Sequence, residues 1–211
     1  MKAPAKASLF VLLTALVVLG LVSTVVRDRA SEPYGIPKSA LAGWNVVVGH
    51  PDDPWLIAAR PPSALSAALI QQLIAKARIA LVPLPRPDLP LVLRSEYADA
   101  LQGMWSVDEI GRVARDSGIE SAAFEPVCVG HKTGSGSEAP EFFFVAFTSP
   151  IFERLRSALQ PDFPEHAGII TYDPRALSLV LPLAATNRDI NQWWPLTFDA
   201  LTDCQAQVIV R

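Results

Sequence analysis

AAFEPVCVGHKTGSGSEAPEFFFVAF, residues 122–147, is the stretch whose reading decides the fold. Two strand-like runs, residues 122–130 and 141–147, flank HKTGSGSEAP, whose Gly, Ser and Pro content is turn chemistry. The segment therefore reads as a hairpin with a flexible tip. Alternation puts Phe142 and Phe144 on one face of the second run and Phe143 on the other, so both faces need cover. That is the requirement of a central strand.

Downstream, Ser149 stands as cap and Pro150 at the first helical position. With Ile151, Leu155, Ala158 and Leu159 they predict a helix to Gln160. Residues 168–172 and 178–183 read as extended, residues 187–194 as a short capped helix, and AQVIV, residues 206–210, as a closing strand. Upstream, Ser106 and Glu109 form a capping box ahead of Val107, Ile110, Val113 and Ala114, and Gly118 is a stop; this predicts a helix from Val107 to Asp116. Residues 82–90, VPLPRPDLP, carry four prolines and suit a polyproline-like connector or an edge element, not a central strand. Leu65, Leu69 and Leu73 recur at four-residue spacing after Pro61-Pro62-Ser63, an amphipathic helix. A short apolar run from Trp44 to Val48 reads as a strand. Strands and helices in this order, without regular βαβ alternation, define an α+β domain: a mixed, largely antiparallel sheet with helices packed on it.

Residues 7–26, ASLFVLLTALVVLGLVSTVV, are twenty residues without a charge. At ~1.5 Å rise per residue such a helix just spans a hydrocarbon core of ~30 Å. A signal peptide has a shorter apolar region and a small-x-small site, whereas this run continues into Arg27, Asp28 and Arg29, so the expectation is a retained transmembrane helix. Lys2, Lys6 and the amino group precede it, which places residues 1–6 on the cytoplasmic side of the inner membrane and the rest outside. Residues 27–43, rich in Pro, Gly, Ser and charge, read as a tether, and residues 44–211 as one extracytoplasmic domain. From residue 31 onward fourteen basic and twenty acidic side chains remain, a net charge near −6. A mildly acidic body with no basic run excludes nucleic acid as a partner and disfavours lying flat on an anionic membrane. An envelope protein is the partner class that fits.

The two cysteines, Cys128 and Cys204, both fall in the exported part. In an oxidising compartment an even pair reads as a bridge, which here would contribute ~4 kcal/mol in the chain-entropy treatment; two separate buried thiols are the alternative. No CxxC or Cys/His cluster marks a zinc or redox motif.

The one constellation with metal chemistry is His50-Pro51-Asp52-Asp53 at the end of the Trp44–Val48 run. It resembles the HPDD signature of the zinc deacetylases that act on N-acetylglucosaminyl lipids and related amino sugars. The resemblance implies His50 and Asp53 as zinc ligands, Asp52 as the base that activates metal-bound water, and His131 or His166 as the third ligand. It covers four residues and departs at Pro54, where the family has an acidic residue, and at Pro61-Pro62, which cut short the helix that should follow. The same residues also read as a turn, Pro-Asp-Asp-Pro, with Asp53 as a helix cap. Nucleophile elbows, P-loops and dinucleotide fingerprints are absent, and His131-Lys132-Thr133 is a single HxT where the cyclic phosphodiesterases need two. Asp99, Asp108, Glu109 and Asp116 fall on or near predicted helix surfaces, as solvated or capping groups. Trp193-Trp194 suits either a partner-binding or membrane-interface patch or, better, a core anchor. Two classes of function follow: a membrane-tethered binding or scaffolding domain without catalysis, and a zinc-dependent hydrolase built on His50, Asp52 and Asp53.

Overall fold

The computed structural model describes residues 32–77, 79–134, 139–160, 172–187, 189 and 193–211. The apolar block at 7–26, the residues before it, and His166 lie outside the described residues. Among the described residues no helix is long and apolar enough to cross a membrane.

The architecture is mixed α+β, rich in antiparallel pairing, and the expected hairpin is its centre. β6 (Glu125–Thr133) and β7 (Glu141–Thr148) pair antiparallel from Glu125↔Thr148 to Thr133↔Glu141. β8 (Val180–Ala185) flanks β7, with β4 (Val82–Pro83) beyond it; β9 (Cys204–Val210) flanks β6, with β1 (Tyr34–Ile36) parallel to it at the far edge. The six-stranded order is β1-β9-β6-β7-β8-β4. A second, antiparallel sheet holds β2 (Asn45–Val48), β3 (Trp55–Arg60) and β5 (Leu89–Leu93) in the order β2-β3-β5. Three helices, α1 (Ser63–Ala77), α2 (Val107–Asp116) and α3 (Pro150–Ala158), bury Leu65, Leu69 and Leu73, then Ile110 and Ala114, then Phe152 and Leu155.

The demand of β7 for cover on both faces is met. Phe143, Val145 and Phe147 enter the main core, while Phe142, Phe144 and Ala146 enter a second cluster under Trp193, Leu196 and Phe198. Phe142 stacks on Trp193 at 5.2 Å between ring centroids. Gly130 lies beneath Phe144, and a Cβ there would collide with the ring. Each Phe side chain fully removed from water contributes about 1.5–3 kcal/mol. Both faces of this strand therefore stabilise the domain.

Three expectations are corrected. Residues 34–41, assigned to the tether, belong to the domain: Tyr34 and Ile36 are buried, and Gln72 of α1 bonds both backbone groups of Gly35, accepting from N at 2.9 Å and donating to O at 2.8 Å. The residues after Pro54 form a strand, so Asp53 caps no helix. The first hairpin strand starts at Glu125 and runs on to Thr133, because Ala122 and Phe124 pack into the core ahead of it. The proline-rich stretch does lie at sheet edges, as β4 and as the start of β5. Of residues 187–194, 188 and 190–192 lie outside the described residues.

β5 is an edge strand that is wholly buried, and side chains complete its ladder. Arg156 Nη1 donates to Leu91 O at 3.3 Å, and Leu93 N donates to Glu96 Oε2 at 2.9 Å. Arg156 is 0% exposed and spends all five N–H groups: on Leu91 O, on both oxygens of Glu96, and on Asp173 O and Pro174 O. A buried guanidinium is tolerated only when paired and fully hydrogen-bonded, and here it is. The ion pair takes the place of a missing strand.

Candidate functional site

The His50–Asp53 turn is built from the backbone outward. Gly49 N donates to Leu56 O at 2.8 Å, and a Cβ on Gly49 would run into the Trp55 carbonyl, so β2 and β3 close as tightly as only glycine allows. His50 N donates to Asp53 Oδ2 at 2.9 Å, and Asp53 N returns to His50 O at 2.8 Å. Arg86 donates to Asp53 Oδ1 at 3.3 Å. Arg94 donates to the carbonyls of Gly49, His50 and Asp53 at 2.9–3.0 Å. His50 Nδ1 lies 3.2 Å from Asp52 Oδ2, on the exposed side.

Each Asp53 oxygen thus accepts one hydrogen bond from the protein, one of them from a cation, and these bonds close residues 50–53 into a turn. His131 sits in β6 with Nε2 3.0 Å from Glu141 Oε2 and its ring stacked on Phe143 at 4.5 Å. Among the described residues no group of three or more His, Cys, Asp or Glu is placed to hold a metal ion. The arrangement is that of a locked turn.

The cysteines do meet. Cys128 in β6 and Cys204 at the start of β9 form a disulfide with Cα atoms 5.7 Å apart, across 76 positions of sequence. Beside it Asp203 accepts from Lys132 Nζ at 2.9 Å and from Asp199 N at 2.8 Å. Burial opposes the charged carboxylate, yet these donors outweigh it and hold Asp203 below the usual carboxylate range. Ser106 likewise holds Glu109 down, through the capping box expected from sequence. Burial alone pushes Tyr34 up to about 12, and burial above all raises Tyr172, against the Arg156 guanidinium 4.6 Å from its ring and with Glu96 and Asp173 adding to the rise.

A cavity of about 540 Å³ lies between the end of β7, α3 and the residues leading into β8. Phe147, Phe152 and Leu179 form its apolar wall, and Glu153, Ser157 and Arg175 its polar rim. Its size suits a small ligand or an inserted side chain. Ser149, at its edge, is buried, and its Oγ has no hydrogen-bond partner among the described residues. Nothing in the sequence reading singled out this site. Its signal was present in the spacing: Ser149, Glu153 and Ser157 recur every four residues, a polar stripe beside the buried Phe152 and Leu155.

No protein-family model matches the chain, and no curated protein or solved structure matches it significantly.

Proposed function

We propose that this chain is a single-pass protein of the cytoplasmic membrane whose folded part lies outside the cytoplasm and binds or scaffolds another envelope component without catalysis. The observation that carries the reading is the Cys128–Cys204 bridge, since structural disulfides persist in oxidising compartments and are rare in the cytosol. The uncharged block at residues 7–26, flanked by Lys2 and Lys6, supports the anchor and its direction. The cavity beside α3 supports binding. Groups whose proton affinity is shifted serve caps, clamps and packing instead of converging on one cleft: Glu109 caps α2, Asp203 holds Lys132, and Tyr172 covers Arg156.

A pair of fusions after Arg211 tests this, one reporter active only when oxidised and exported, the other fluorescent only in the cytosol. The exported reporter is expected to be active in the full chain and silent when residues 1–31 are deleted. A fluorescent cytosolic fusion of the full chain would overturn the reading.

A further inference from the structure

We propose that the α3 cavity binds a small zwitterion with an apolar side chain, an apolar α-amino acid or a short peptide, its carboxylate on Arg175 and its ammonium on Glu153. The inference deepens the binding reading above and rests on it, but not on the compartment the domain occupies. Its first support is a hydroxyl that the fold leaves unused. Ser149 holds the N-cap position of α3, where a serine oxygen ordinarily accepts from an N–H of the first turn. Ser106 does so for α2, accepting from Glu109 N at 3.2 Å. The Ser149 side chain makes no such bond; its carbonyl takes Phe152 N at 3.1 Å and Glu153 N at 3.4 Å instead. Ser149 lines the cavity, is 3% exposed, and its Oγ has no hydrogen-bond partner among the described residues. Buried polar groups are normally bonded, and a polar group of a bound molecule is the partner this one lacks.

The second support is charge. Glu153, on α3, and Arg175, in the segment leading into β8, line the same cavity from two different elements. Among the described residues neither side chain forms an ion pair or a hydrogen bond, with the other or with a third group. Opposite charges that share a cavity without meeting leave room for a molecule that carries both. A lone anion would be repelled by Glu153 and a lone cation by Arg175, whereas a zwitterion is matched at each end.

The third support is the apolar wall. Phe147, Phe152, Leu177 and Leu179 line the cavity and keep 4–7% of their surface, whereas Leu155, in the same helix as Phe152, keeps none. An apolar side chain laid on this wall removes the remaining exposure. Ser157 and Gln160 continue the Glu153 face of α3 over the next two turns and offer a hydroxyl and an amide to the main-chain groups of the ligand. An apolar surface with a few convergent polar groups is the usual make-up of a small-molecule site.

Calorimetric titration of the full chain, in maltoside detergent, with leucine, leucyl-leucine, N-acetylleucine and leucinamide tests this. Leucine or leucyl-leucine is expected to bind about fivefold more tightly than N-acetylleucine, which lacks the ammonium, and than leucinamide, which lacks the carboxylate. The tighter of the first two assigns the source, free amino acid or peptide. Glu153→Gln should erase the penalty of the acetyl group alone, and Arg175→Gln that of the amide alone; both side chains are exposed, so neither change disturbs the fold. Ser149→Ala should weaken binding about fivefold without loss of thermal stability, since the hydroxyl bonds nothing in the free protein. Equal binding of all four compounds would make the cavity a holder of apolar side chains, as for a docked protein partner, and overturn the zwitterion while leaving the binding reading intact. A preference that survives both Glu153→Gln and Arg175→Gln places the ligand elsewhere and overturns the assignment. No binding of any of the four at millimolar concentration overturns the cavity as a small-ligand site, and the reporter fusions still decide the compartment separately.

Discussion

Arg156→Met is the substitution that tests the architecture most directly. The methionine fills a similar volume, so the loss is electrostatic and not a cavity. It removes a guanidinium that is 0% exposed and leaves Glu96, whose side chain is 16% exposed, without its cation. It also leaves the carbonyls of Leu91, Asp173 and Pro174 without donors. Removing one partner of a buried pair costs about 3–5 kcal/mol, and the orphaned carbonyls are part of that sum because such effects are not additive. With a urea slope near 2 kcal/mol/M for a domain of this size, the midpoint should fall by roughly 1.5–2.5 M. Tryptophan fluorescence of the full chain reports it, since Trp44 and Trp55 lie in the core. The double variant Arg156→Met/Glu96→Gln should recover part of the loss, because the second change removes the uncompensated charge; the Gln side chain can still accept from Leu93 N. A single variant within ~1 kcal/mol of the parent chain, or a double variant no better than the single, refutes the account of Arg156 as the completion of the β5 edge.

Three further outcomes are expected. Cys128→Ser/Cys204→Ser should lower unfolding stability by ~4.5 kcal/mol from chain entropy over the 76-residue separation, read as the shift in denaturation midpoint that a reductant also produces in the parent chain. Asp203 has a depressed pKa in the folded state, so its contribution is full above the unfolded value near ~4 and is lost as pH falls through the folded value; Asp203→Asn should therefore flatten the acid limb of a stability–pH curve below about pH 4, and an unchanged limb counts against the Lys132 and Asp199 contacts. Purified protein should carry no stoichiometric zinc, and neither a chelator nor His50→Ala should shift its melting temperature; bound zinc that disappears in His50→Ala would sink the reading of residues 50–53 as a locked turn.

What could be read from the chain alone was whatever neighbouring residues determine among themselves. The start of α2 follows from a capping box four residues wide and its end from Gly118, the start of α3 from Pro150, and the hairpin from its turn composition and the alternation of three phenylalanines. Much of the remainder needed partners far along the chain. β1 is three residues, too short for any periodicity, and it exists because β9 pairs with it while Gln72 bonds both backbone groups of Gly35. β3 shows no alternation because Trp55 to Ala59 are buried on both faces. Pro90 argued for an edge, but only Arg156 and Glu96 make that edge stable inside the core. For His50, Asp52 and Asp53 the residue types permitted either a ligand set or a turn. Arg86 and Arg94, more than thirty positions away, supply the bonds that hold the turn, to the Asp53 carboxylate and to the carbonyls of Gly49, His50 and Asp53. Local sequence encodes caps and periods; how a buried polar group is satisfied is a property of whatever folds against it.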